Sequence, residues 1–545
     1  MARPHSLDED PALNRNRFGH TPALWLLLPL LLGAAIDTTV QPDIWILLGG
    51  ATLCLLGFCI LNKNETFSLI FIFVAGTLLG SAWHQAKLFP QTKIDFSKNH
   101  AELSVLILQA STQHNESEWS AVGWITDKGI LFRRQVSLSG KGPPPIHSGE
   151  YRIEGWASGL PECPQGFEAW ARSQGCTLKL QGGKILGTLE PPSAFAQWCY
   201  CTQKRLEKWL RCLPWEDPDG GSLLAATLLG RTALLPAEAK LNFAATGTLH
   251  LFAISGLHIA GMAAALLWLI KKLRLPEKPL GVLILILLWF YVEITGASPS
   301  SLRAWIMALF IWVGQLSERR TPILQSLALA GTVTLLFQPE ASNDPGFQLS
   351  YLAVLGIVCA GAPAAEILTQ PSQVEALTPK HSLPRMRRWL GKLKRLLISG
   401  ACISVAATIA GTPLTLTYFQ SASWIGVLAN LILVPLSEIP LLLGMASLSL
   451  FWWDGLLPLA SWMNGCAALT LDAMAWLVKL FTIVPCLIFS AHLQSSISGQ
   501  GCVALLVACF LLQAESKSVA KLLGVPALIV ISWITFLFCF NQIVY

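Results

Sequence analysis

Residues 247–259, GTLHLFAISGLHI, place His250, Ser255 and His258 inside an otherwise apolar run. Polar groups in such a run cost free energy unless they meet water, a partner or a polar pathway. Three chemistries use these residue types. A shared metal ion is one. In an unbroken helix, however, the step from His250 to His258 rises about 12 Å. No other ligand set stands nearby, so no metal site is expected. A nucleophile and its base is the second, because Ser255 and His258 are three apart and share a helical face. The GxSxG elbow of a hydrolase is absent from this stretch. Hydrogen bonding is the third, either to neighbouring helices or as the lining of a polar pathway, and both readings stand.

Two further motifs share a grammar. In residues 295–303, TGASPSSLR, Ser298 followed by Pro299 reads as a helix cap with proline at the first helical position. Arg303 then falls in the first turn, where it reaches either the membrane interface or a phosphate group, for which a forked guanidinium is suited. In residues 343–351, NDPGFQLSY, Asp344 caps and Pro345 opens the next helix, and Gln348 enters it. Pro413 lies inside one later apolar run, and Asn430 and Pro435 inside the next. Proline there frees carbonyls, which is tolerated where backbone is buried or lines a cavity.

The elements that must position these groups are membrane spans. Apolar residues make up 53% of the 545 positions and charged residues 13%. Apolar runs of about 18 residues recur, long enough to cross a hydrocarbon core. The expected fold class is an α-helical polytopic membrane protein with an inserted small all-β, OB-like barrel outside the membrane. Residues 1–87 read as an N-terminal cytoplasmic tail and three spans, 23–35, 44–61 and 67–83. Residues 88–190 alternate with period two, and strands are expected at 102–109, 121–126, 129–138, 151–157 and 177–180. Residues 191–220 hold an amphipathic helix, read either as lying on the membrane surface or as a packed connector. Residues 221–545 form a multi-span block.

The basic clusters orient the chain. Arg15/Arg17, Lys63, Lys271/Lys272/Arg274, Arg319/Arg320 and the run 385–395 all fall inside if the N-terminus is cytoplasmic and the barrel is outside. That count gathers His250, Ser255, Glu293, Arg303, Asp344, Tyr418 and Asn430 toward the outer ends of their spans, as a water-filled vestibule would. Cys163 and Cys176 lie in a polar segment and form a candidate disulfide in an oxidising compartment. Trp119, Trp124, Phe132, Arg133 and Arg134 are candidate single-strand contacts on the barrel. Residues 100–190 hold eight Lys/Arg against nine Asp/Glu, so a scaffold role weighs equally.

GTLHLFAISGLHI, GASPSSLRAWIM, DPGFQLSYLAVLGI, GTPLTLTYFQ and GVLANLILVPL resemble, in order, the motifs of ComEC-type competence proteins. PQGFE at 164–168 and RSQG at 172–175 resemble the end of that family's N-terminal OB-type domain. The resemblance implies a plasma-membrane channel carrying single-stranded DNA into the cytoplasm during natural transformation. His250, Ser255, His258, Arg303, Asp344, Gln348 and Asn430 are then the candidates for lining the DNA path. Many members of that family carry a metallo-β-lactamase-like domain expected to degrade the other strand, but no enzyme activity and no cofactor are expected of the residues present here. No HxHxDH motif of the metallo-β-lactamase-like domain and no GxxxxGK[ST] loop is present. A separate nuclease, a periplasmic DNA receptor and a cytoplasmic ATPase are therefore the expected partners, beside membrane lipids, and an oligomer is compatible. The rival readings are a small-molecule transporter and an intramembrane hydrolase using Ser255 and His258.

Overall fold

The computed structural model describes residues 21–544 apart from 41–42, 62–64, 88–98, 113–117, 128–133, 161–170, 173, 177, 318–321, 371–384, 484–487, 491, 494–495, 514–515 and 540–542. The candidate disulfide and the platform residues Phe132 and Arg133 lie outside the described residues, Cys163 being the partner affected.

Three apolar helices come first: α1 (Leu24–Val40), α2 (Ile44–Leu61) and α3 (Glu65–Lys87). Without a hydrophobic force between helices in lipid, close backbone approach and polar contacts hold such a unit. Gly33 of α1 supplies the approach. A Cβ there would stand 2.4 Å from the Ser81 nitrogen and the Thr77 oxygen of α3.

The strands β1 (Asn99–Thr112), β2 (Glu118–Ile125), β3 (Gln135–Lys141), β4 (Glu150–Gly159) and β5 (Leu178–Glu190) close into a barrel of order β1-β2-β3-β5-β4. β3 and β5 run parallel and the other pairs antiparallel. This is the inserted OB-like barrel expected from period-two alternation. Val105, Ile107, Ile125, Val136, Leu138, Ile153 and Leu180 fill it. One strand differs from expectation, and residues 129–133 of the expected third strand lie outside the described residues. β5 continues ten residues beyond Leu180 through QGGKILGTLE. That stretch carries three glycines and no regular alternation, so its pairing comes from β4. Trp119 is also corrected. It is 1% exposed, its indole Nε1 donates to the Lys141 carbonyl at 3.4 Å, and a Cβ on its cross-strand partner Gly140 would meet the ring at 2.5 Å. The ring fills the space that the glycine leaves, so it is core and not a stacking platform.

α4 (Ala194–Leu210) leaves the barrel from a Ser193 cap whose side chain accepts from the Ala196 nitrogen. The Ser193 nitrogen donates back to the Ser148 hydroxyl of the β3–β4 loop at 3.1 Å. α5 (Pro218–Leu229) follows, capped by Asp217 and ended by Gly230 in the left-handed region. Then come α6 (Ala237–Ala245), α7 (Gly256–Lys272), α8 (Glu277–Ile294), α9 (Pro299–Leu316) and α10 (Ile323–Phe337). α11 (Pro345–Gly356) continues through a π-turn into α12 (Ala362–Thr369). α13 (Arg385–Phe419), α14 (Ile425–Leu450), α15 (Leu457–Thr482), α16 (Ser496–Gln513) and α17 (Val525–Cys539) complete the bundle. Among the described residues, five helices are long and apolar enough to cross a membrane: 345–369, 389–419, 425–450, 454–482 and 520–537. The chain is a multi-pass membrane protein. α4 is a packed connector: the Trp209 indole donates to the Ser447 hydroxyl at 3.1 Å, and Asn464 Nδ2 donates to the Trp209 carbonyl at 3.3 Å. Its buried Glu207 meets Lys204, Arg211 and Arg231, which ties α4 to the turn that follows α5.

Candidate functional site

The cap of α7 is built from the serine and histidine that sequence singled out. Ser255 Oγ accepts from the His258 backbone nitrogen at 3.4 Å, and His258 Nδ1 accepts from the Ser255 nitrogen at the same distance. This is the reciprocal pattern of a capping box, with histidine in the place usually held by glutamate. The ring thus bonds to serine backbone, not to the hydroxyl that a base would have to activate. His258 is 1% exposed, whereas His250 is exposed and its Nδ1–H donates to the Gly247 carbonyl at 3.1 Å. The two imidazoles are near enough to interact electrostatically.

α9 carries Arg303 one turn past the Ser298 cap, whose hydroxyl accepts from the Ser301 nitrogen. Arg303 is only 2% exposed and turns inward. Its Nη2 donates to the Gly346 carbonyl at 3.4 Å. The guanidinium carbon stands 5.0 Å from the Tyr351 ring centre and 5.6 Å from that of Phe347. Those rings stack on one another at 4.2 Å. Asp344, 3% exposed, caps α11 by accepting from the Gly346 nitrogen at 3.2 Å and lies within electrostatic reach of Arg303. Arg303 Nη1 is buried and has no hydrogen-bond partner among the described residues. A guanidinium with a spare, desolvated N–H is a strong anion donor.

The next turn of α11 extends the network. Gln348 Nε2 donates to the Ser342 carbonyl at 2.7 Å, and its Oε1 accepts from the Tyr418 hydroxyl of α13 at 3.0 Å. The structure therefore joins Arg303, Asp344 and Gln348, and adds Tyr418. Ser255, His258 and His250 form a neighbouring group: a Cβ on Gly256 would stand 3.7 Å from Ala304, the residue after Arg303. Asn430 forms no hydrogen bond to the other six candidates, and its Oδ1 is buried without a partner among the described residues.

Sequence reasoning passed over two intramembrane acids and a histidine. Asp37 of α1 and His84 of α3 form a buried pair at 2.6 Å. The expected spans stop at residues 35 and 83, but the helices run on to Val40 and Lys87 and bury both groups. Glu438 lies midway along α14, with Oε2 in the notch that the missing side chain of Gly261 leaves in α7. The available signal was the same in each case: an ionisable residue in or beside an apolar run.

Residues 227–518 match the Competence protein family, over half of the chain. ComE operon protein 3 of Bacillus subtilis (strain 168) is 27% identical over 285 residues, which cover 50% of this chain and 33% of that protein. Competence protein ComA of Neisseria gonorrhoeae is 33% identical over 170 residues, 27% of this chain and 23% of that protein. An uncharacterized protein of Aquifex aeolicus (strain VF5) is 39% identical over 126 residues, 23% of this chain and 29% of that protein. The aligned part of this chain thus spans at most about a third of these curated relatives. No solved structure matches the chain. All seven candidate residues, His250 through Asn430, fall inside the matched region.

Proposed function

The chain belongs to the competence protein family, and on that premise we propose that it is a plasma-membrane channel carrying single-stranded DNA into the cytoplasm. The N-terminus is cytoplasmic and the barrel stands outside, as the distribution of basic clusters asks. His250, Ser255, His258, Arg303, Asp344, Gln348 and Asn430 line the path. The observation that carries this reading is the Arg303 network. A buried arginine with a spare N–H, held by two rings and facing an acid that offsets its charge, suits a passing phosphate: strong enough to attract, and not so strong as to trap. The capping box supports a path-lining role for Ser255 and His258 over a nucleophilic one, because both groups are already spent on the helix terminus. A separate ATPase motor and a separate DNA receptor serve it in this account.

Vesicles reconstituted with the purified chain test it. A fluorescent single-stranded oligonucleotide should enter when a driving gradient is imposed, and a duplex of the same length should stay outside. Equal entry of a small neutral dye and exclusion of both nucleic acids would replace the channel with a small-molecule transporter.

A further inference from the structure

Where the barrel meets the helical bundle, α4 and α8 bring four aromatic rings together. Phe195 lies 5.4 Å from Trp289 with ring planes 6° apart, and 6.1 Å from Trp198 with planes 23° apart. Phe290 closes the group edge-on, 5.9 Å from Trp198 and 5.1 Å from Trp289. Trp198, Phe195 and Trp289 thus form a near-parallel run. Core packing does not explain it, since Trp198 is 47% exposed and Phe195 36%. The Ser193–Ser148 bond anchors one side of the group to the barrel, and α8 leads directly from the other side into the turn that carries Ser298 and Arg303.

The exposed stripe of α4 runs on from Trp198 through Cys201 to Arg205 and Lys208, at helical spacing. Lys204 and Arg211 are engaged with Glu207, but Arg205 and Lys208 carry no ion pair among the described residues. Flat rings followed by unpaired cations along one exposed helix face are the two halves of a single-strand site: every base has a face to stack, and every step has a phosphate to neutralise. We propose that Phe195, Trp198, Arg205 and Lys208 form a sequence-tolerant binding site for single-stranded nucleic acid at the entrance of the bundle. This rests on the channel reading above and names a docking step that precedes the Arg303 network. An anchor in the lipid interface also uses tryptophan and cations, but anchoring needs apolar bulk and not parallel planes. That difference makes the two separable.

The test uses the full chain in nanodiscs of neutral lipid, an oligothymidylate, and an abasic strand of the same length. Stacking is worth about tenfold in affinity per ring. The double variant Phe195→Leu/Trp198→Leu removes the exposed Trp198 ring and the Phe195 ring stacked behind it, and should therefore weaken oligothymidylate binding by at least about tenfold and leave the abasic strand unaffected. Trp198→Phe should keep most of the affinity. Arg205→Gln/Lys208→Gln should weaken both strands alike and flatten the salt dependence. If the double variant does not fold, Trp198→Leu alone carries the test with an expected loss of about tenfold. Leucine variants that bind oligothymidylate as tightly as the original chain overturn the site and assign the rings to lipid. An original chain that binds neither strand overturns the channel reading itself.

Discussion

Replacing Arg303 separates a phosphate contact from a packing role. In the resting structure the side chain makes one long hydrogen bond, 3.4 Å to the Gly346 carbonyl, and two ring contacts at 5.0 and 5.6 Å. A bond of that length contributes under about 1 kcal/mol, and buried cation–ring contacts about 0.5–2 kcal/mol each. Arg303→Ala also leaves Asp344 without its nearby cation, although that carboxylate keeps its cap on Gly346. The expected loss of stability is about 2–3 kcal/mol, enough to lower abundance but not to abolish folding. A charge-assisted contact to a passing phosphate adds about 1.5–3 kcal/mol, so uptake per molecule of protein should fall about 10- to 100-fold. Arg303→Lys keeps the charge over the Tyr351 ring and loses the fork, so it should recover part of the uptake. The assay counts labelled DNA taken up by cells and divides it by the amount of the protein in the membrane. Unchanged uptake per molecule in Arg303→Ala refutes the phosphate contact, and a loss confined to abundance leaves only the packing role.

Three further outcomes follow from the fold. A cysteine placed at Lys141, whose side chain is 82% exposed on the barrel, should react with a membrane-impermeant maleimide in intact spheroplasts; protection until lysis would put the barrel inside. Burial pushes the Cys176 thiol up to about 12, so under reducing conditions it should resist alkylation at pH 8 in the folded protein and react once urea opens the barrel, whereas rapid labelling before unfolding would contradict its burial. Glu207→Ala removes the buried carboxylate shared by Lys204, Arg211 and Arg231 and should destabilise the bundle by about 3 kcal/mol, read as reduced abundance and a lower melting temperature; the double change with Arg231→Met should recover part of the loss.

How much of this was legible in the chain depends on which force shapes each part. The barrel and the bundle were legible because period-two alternation and long apolar runs are written along the sequence itself. The caps at Ser298 and Asp344 were legible for the same reason, since each is a local contest over a few amide groups, and both readings hold. Ser255 was read as sharing a helical face with His258 inside the apolar run, whereas the helix begins only at Gly256 and Ser255 caps it. What could not be read is what depends on a distant partner. Trp119 looked like a surface platform because the glycine it covers, Gly140, lies on the next strand. The last strand was cut short because its pairing comes from β4 rather than from its own residues. Asp37 and His84 each look like the polar edge of a span until the other is in place, 47 residues away. The span count had already gathered Tyr418 with these residues, but its partner Gln348 lies 70 residues away and nothing local to either residue announces their bond.

The central claim is that this chain conducts single-stranded DNA across the plasma membrane. The direct measurement deletes the gene and follows donor DNA labelled on one strand into protoplast cytoplasm, with the DNA already bound at the cell surface counted separately. The account predicts that surface binding persists while single-stranded label in the cytoplasm disappears, and that the intact chain restores it. Undiminished label in the cytoplasm of the deletion strain would contradict the account.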